Sequence, residues 1–254
     1  MRFGEAEPNR IELKPIELAV LRHIALYRLT LIPVIERLFT TQHGGNAGTL
    51  LVKLAKLGLL RHHKKVADGA FPGRVPFFSL MPLGARMAGA SEDRAEPLGP
   101  AALRTHLATL WFCIMSDERR YRLEPRELGS IFADHAPHAN IPCCLADEKE
   151  GPKIYRVYET STNIPKTIKQ LRATLTAIWD APTLRPWLMS GDLGFAVLGE
   201  TTAKCGHLNK AIKEAKNEKP CVADECHVIV RFAPSPSTLK SALDALRRKK
   251  PNDR

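Results

Sequence analysis

The stretch Gly44–Arg61, GGNAGTLLVKLAKLGLLR, decides how the chain is read. Leu50, Leu51, Leu54 and Leu57 recur at three- and four-residue spacing, which predicts a helix with a buried leucine stripe. Asn46 or Thr49 begins it, because a short polar side chain accepts from the free N–H groups of a first turn. Gly58 ends it, and Leu59–Leu60 return to the core. Asn46, Thr49, Lys53 and Lys56 fall on the face away from the leucines.

Upstream, Pro15 suits a first helical turn. Ile16, Ala19, Val20, His23, Ile24 and Tyr27 then follow at helical spacing. Thr30 is a candidate cap for a second helix running to Phe39, with Pro33 in its first turn. Thr40–Gly45, TTQHGG, is a break. Downstream, Arg61–Lys65 and Arg74–Leu80 flank a turn holding Asp68, Gly69, Pro72 and Gly73, which predicts a hairpin. Helix, helix, Leu-rich helix and basic ribbon is the order of a winged helix-turn-helix.

The whole chain has 254 residues and a net charge of +11. A basic balance favours a polyanionic partner, nucleic acid before membrane. The charge is also focused. Residues 46–74 hold six bases (Lys53, Lys56, Arg61, Lys64, Lys65, Arg74) against Asp68 alone, whereas residues 1–45 hold six bases and five acids. The chain has no apolar run of about 18 residues, so no membrane contact is expected. The N-terminus has no apolar signal region and six cysteines are too few for a disulfide scaffold, so a cytoplasmic location with reduced thiols is expected.

Leu83–Gly99, rich in Gly, Pro, Ala and charge, reads as a connector, with 91–99 as the linker proper. A helix is expected from Pro100 through Cys113, extended chain at Tyr121–Leu123, a short helix over Glu124–Phe132 and a loop at His135–Pro142. Cys143–Leu145 and Lys153–Tyr158 then pair as strands. Thr162–Trp179 and Thr202–Ala215 are helical, Phe195–Leu198 and Val228–Phe232 are strands, and Ser235–Lys250 is a closing basic helix. The fold class is therefore α+β. A winged helix-turn-helix spans 12–90, and a small α/β domain spans 100–250.

Three segments, ELAVLRHIALYRLTLIPVIERLF with LLVKLAKLGLL, HLATLWFCI, and IYRVYETSTNIPKTIKQLRATL, are similar in order and pattern to the replication-relaxation family of plasmids and conjugative elements. The resemblance covers roughly residues 15–232. It implies a winged helix, a linking helix and an α/β domain resembling a degenerate restriction-endonuclease core. It also implies action in plasmid or conjugative-element replication, DNA relaxation or transcription control.

An active core of that kind holds Mg²⁺ with an acid after one strand and a Glu-x-Lys on the next. Here His138 and Asn140 stand at the first place. Glu159 stands at the second, followed by Ser161 where Lys is needed. Lys166 and Lys169 are candidates to replace that Lys, and Asp147 or Glu148 to add a carboxylate. The departures favour an inactive scaffold with no cofactor. A nuclease using Glu159 and Mg²⁺ is the alternative. Cys205, His207, Cys221, Cys226 and His227 are zinc-type ligands, but they lack a Cys-x₂-Cys knuckle, so no metal site is assigned. GGNAG lacks the Lys-Ser/Thr of a phosphate loop.

The DNA-binding set is Gly45, Asn46, Thr49, Lys53, Lys56, Arg61, Lys64, Lys65 and Arg74. Asn46 and Thr49 sit near the helix N-terminus, where such helices meet base edges. The bases neutralise phosphates. Without an arginine on the helix, specificity is modest unless a homodimer doubles it. The other rival is an interaction module that recruits a replication protein or relaxase.

Overall fold

The computed structural model describes residues 11–40, 46–63, 75–132, 142–148, 151–160, 163–216 and 226–248. They form two compact units. One is built from residues up to 62 with 78–96. The other is built from the described residues from 97 onward together with His63 and residues 75–77. The chain is a mixed α+β protein.

In the first unit, α1 (Pro15–Tyr27) is followed by α2 (Ile32–Ile35), a wider π-type turn (Glu36–Thr40) and α3 (Ala47–Lys56). The ribbon β1 (Leu60–His63) and β2 (Phe77–Leu80) comes next, then α4 (Pro82–Ala88). Val20, Leu21, Ile24, Ile35, Leu51, Leu54, Leu59 and Phe78 form one core.

Three sequence expectations change here. Thr30 does not cap α2, because Leu31 occupies that position. Thr30 is buried and exchanges two backbone hydrogen bonds with Phe78, at 2.9 and 3.0 Å, as an antiparallel bridge. Leu57 is not part of the buried stripe; it is 37% exposed. The reason is the way α3 stops. Leu59 N–H donates to Leu54 O at 3.1 Å and Gly58 N–H to Ala55 O at 3.0 Å, with Gly58 at φ 71°. This Schellman turn reverses the chain and delivers Leu59 to the core in place of Leu57.

The third change concerns the expected connector. Residues 82–88 are helix α4 and Glu92–Ala95 a 3₁₀ turn, with Ala85, Ala88 and Ala95 packed into the core. Small residues permit this approach. Met81 N–H donates to Leu59 O at 3.0 Å, and a Cβ on Gly84 would lie 2.0 Å from that same oxygen. Gly84→Ala therefore forces α4 off the Leu59 carbonyl, and we expect a loss of about 2–3 kcal/mol. Amide hydrogen exchange of α1 and α3 reads this unit separately from the second one, which holds Trp111, Trp179 and Trp187. Exchange unchanged by the substitution would contradict the close approach.

The second unit begins with α5 (Pro100–Leu110), which widens into a π-type turn (Trp111–Met115). Then come β3 (Arg120–Arg122), α6 (Pro125–Ile131), β4 (Cys143–Glu148), β5 (Gly151–Glu159), α7 (Ile164–Trp179), the short α8 (Arg185–Met189), β6 (Leu193–Gly199), α9 (Thr202–Lys216), β7 (Val228–Phe232) and α10 (Leu239–Arg248). The strands form one sheet in the order β3-β4-β5-β6-β7. β3, β4 and β5 are antiparallel, and β5, β6 and β7 parallel.

Every residue of β6, LGFAVLG, is buried, as expected of a parallel strand covered on both faces. Ile154, Phe195 and Val197 pack with Leu171, Leu175 and Ile178 of α7 and Leu208 and Ile212 of α9. Tyr155, on the alternate face, meets Phe112 edge-on. On that face Cys113 Sγ lies 3.2 Å from Cys144 Sγ, both fully buried as free thiols. The expected pairing of Cys143–Leu145 with Lys153–Tyr158 is present, with Leu145 opposite Ile154.

Candidate nucleic-acid interface

The outward face of α3 is the first candidate surface. Asn46, Thr49, Lys53 and Lys56 are all exposed on it. Asn46 Oδ1 accepts from Thr49 N–H at 3.1 Å, so its side chain serves first as the helix cap. Val52 and Leu57 are exposed on the same helix, at 38% and 37%. Arg61 is half-buried on β1. Gly45, Lys64, Lys65 and Arg74 lie outside the described residues.

Lys53 departs from its expected role. Its Nζ lies 2.5 Å from Glu17 Oε1, and Glu17 is only 2% exposed. Glu17 also accepts from Lys14 N–H at 2.9 Å. Burial pushes the Glu17 carboxyl upward, but the Lys53 and Lys14 bonds outweigh it, and the net shift is downward. Lys53 thus neutralises a buried acid on α1, 36 residues away in sequence, instead of standing free for phosphate. No local spacing signals that partner. The acid is visible in the sequence, but its burial is not.

The two histidines of β1, His62 and His63, face aromatic partners. Their rings stack on Phe78 and Phe77, at 4.4 and 4.0 Å between centroids. Behind α3, the His23 ring sits beside Tyr27 and Phe39 and within 3.3 Å of Thr30 Oγ1. Burial pushes its imidazole down to about 3.

In the second unit, Glu159 ends β5, opposite Leu198 of β6. Burial raises its carboxyl, with Arg104 and Lys204 lowering it and Glu200 raising it further. Lys204 Nζ is 3.3 Å from Glu200. The cations acting on Glu159 are therefore Arg104 and Lys204, and Lys166 and Lys169 are exposed on α7 instead. Asp147 and Glu148 cannot join it. They sit at the hairpin end, where Glu148 pairs with Gly151, and the length of β5 separates them from Glu159 by roughly 26 Å. Glu148 is taken up by Tyr155 Oη and by Lys153 Nζ, the latter at 3.4 Å. His138, Asn140 and Ser161 lie outside the described residues.

Among the described residues no group of three or more His, Cys, Asp or Glu side chains is poised to hold a metal. Cys205 Sγ packs against Gly199 O at 3.7 Å, Cys226 is buried, and His207 is exposed. Cys221 is outside the described residues. A cleft of about 810 Å³ opens at the carboxyl ends of β6 and β7, lined by Trp111, Arg120, Thr201, Arg231, Phe232 and Leu246 among others. Sequence periodicity gave no signal for it. No helix among the described residues is long and apolar enough to cross a membrane.

No protein-family profile, curated protein or solved structure matches this chain.

Two outcomes follow from the Glu17 and His23 environments. Lys53→Ala leaves a buried carboxylate without its cation and should destabilise the first unit by about 1–3 kcal/mol, read by urea-dependent hydrogen exchange. A change under about 0.3 kcal/mol would show that the pair is only a surface contact. For pH, His23 binds a proton below about 6.5 when unfolded but only below about 3 when folded. Its neutral burial is fully compatible with folding above the unfolded value. Stability is then lost as pH falls from about 6.5 toward 3, by at most about 1.4 kcal/mol per pH unit. His23→Gln should flatten that slope. Glu17, with its depressed value, adds loss only once pH falls below its ordinary range near 4.5.

Proposed function

We propose that this chain is a double-stranded DNA-binding protein of a mobile genetic element. It would act in plasmid or conjugative-element replication, DNA relaxation or transcription control. The observation that carries the reading is the build of the first unit. Three helices precede a two-stranded ribbon, and the chain between α1 and α2 bridges the returning strand at Thr30 and Phe78. This build supports reading the unit as a winged helix-turn-helix, in which α3 would be the helix presented to a major groove.

On this reading Thr49 and the outer edge of Asn46 meet base edges, while Lys56 and Arg61 neutralise phosphates. Lys53 stays with Glu17 and stiffens α3 against α1. Gly45, Lys64, Lys65 and Arg74 complete the set read from sequence. The second unit supports the wider resemblance. It runs helix, three antiparallel strands with α6 between the first two, helix and then two parallel strands, an order that supports a restriction-endonuclease-like reading of the core. Arg104 and Lys204 act on the Glu159 carboxyl, with Glu200 opposing them.

A recruiting module is the second reading, favoured by Val52 and Leu57 exposed on α3. Fluorescence anisotropy with duplexes derived from DNA recovered with the protein separates the two. Lys56→Ala with Arg61→Ala should weaken binding at least about tenfold at low salt, and flatten the salt dependence of log K by roughly 2. Unchanged affinity would remove α3 and β1 from the interface. Supercoiled plasmid with Mg²⁺ or Mn²⁺ should remain uncut; cutting that disappears in Glu159→Ala would instead establish the nuclease reading.

A further inference from the structure

The exposed side of α7 and α9 carries five cations, Lys166, Lys169, Arg172, Lys210 and Lys213, and one carboxylate, Glu214. The two helices pack side by side, and Arg172 Nη2 donates to Ala215 O at 3.3 Å. All five side chains are exposed on this two-helix layer, and Lys169 and Arg172 also line a groove of about 450 Å³ together with Ile164 and Glu214 among others.

Local physics disfavours this arrangement. Lys166, Lys169 and Arg172 are spaced by three, so they are neighbours along one side of α7. No acid lies three or four residues from any of them. Lys166 also stands in the first turn, where unpaired N–H groups already leave partial positive charge. That turn contains no acid, and Asn163 makes no side-chain cap bond. Among the described residues Lys166, Lys169 and Lys213 form no ion pair. Lys210 comes only to 3.8 Å of Glu214, with both side chains largely exposed, a contact of little energetic weight. A surface that is merely solvated gains by mixing signs. This one does not mix them.

We propose that the α7–α9 face is a second, sequence-independent contact surface for the phosphate backbone of double-stranded DNA. The identity of the polymer rests on the winged-helix reading above; the surface does not. The reach fits. Lys166 to Arg172 spans about 9 Å of helix axis, a length over which a duplex presents about five phosphates. An anionic membrane is the poorer fit. Leu171, Leu175 and Ile178 of α7 and Leu208 and Ile212 of α9 are buried in the core, Ile164 and Ile168 pack partly buried against it, and neither helix has a large apolar side chain among the exposed ones.

The test uses the full chain and a random-sequence 30-base-pair duplex, with anisotropy read at several salt concentrations. Lys166→Gln, Lys169→Gln and Lys213→Gln together remove the charge with one heavy atom less in side-chain length and a similar helix propensity. This variant should bind at least about tenfold more weakly at low salt, with the slope of log K against log salt reduced by roughly 2 to 3. Its circular dichroism and melting temperature should match the wild type. Affinity and slope both unchanged would overturn the proposal, while the Lys56→Ala/Arg61→Ala variant separately decides the winged-helix reading. Loss in the glutamine variant with full binding in Lys56→Ala/Arg61→Ala would keep this surface and discard α3. Wild-type protein that prefers vesicles containing anionic phospholipid over the duplex would overturn it in favour of a membrane.

Discussion

The first unit is organised around one backbone carbonyl, that of Leu59. A Schellman turn at the end of α3 brings it inward, Met81 N–H bonds to it, and Gly84 lies against it with no room for a methyl group. Helix α3, the ribbon and α4 are thereby tied at a single point. The ribbon departs from that point, so the position of β1 follows from how α3 ends. In the second unit the equivalent constraint is β6. It is buried along its full length, paired on both edges and packed against α8 and α9, so its neighbours β5 and β7 have little freedom of register.

Much of this architecture was legible in the residues. Leucine periodicity located α3, Asn46 marked its start and Gly58 its end, and alternating or continuous apolar runs located the strands of the second unit. What was not legible depends on partners distant in sequence. Thr30 has the chemistry of a cap, but the backbone of Phe78 claims it from 48 positions away. Lys53 has the spacing of a phosphate contact, but Glu17 claims it. The residues 82–95 have the composition of a connector because small side chains are also what close helix packing requires. The exposed face of α3 was therefore readable in its residues, though not in how Lys53 is used.

Charge counted along the chain and charge available at a surface are different quantities here. The excess over residues 46–74 first appears as the principal basic feature. Lys53 is then consumed internally, and the histidines of β1 are taken up by aromatic faces. On α7 and α9, by contrast, Lys166, Lys169 and Lys213 stay exposed and form no ion pair among the described residues. A helix that places lysine in its own first turn sacrifices some intrinsic stability, and the core side chains Leu171, Leu175 and Ile178 hold it in place regardless.

The facing thiols of Cys113 and Cys144 have a further consequence. Both are fully buried, and burial holds Cys144 well above the ordinary thiol range. Neither can meet an alkylating reagent until α5 lifts from the sheet. The pair is thus a built-in clock: the rate at which these sulfurs are captured measures how often the helix and the sheet part company.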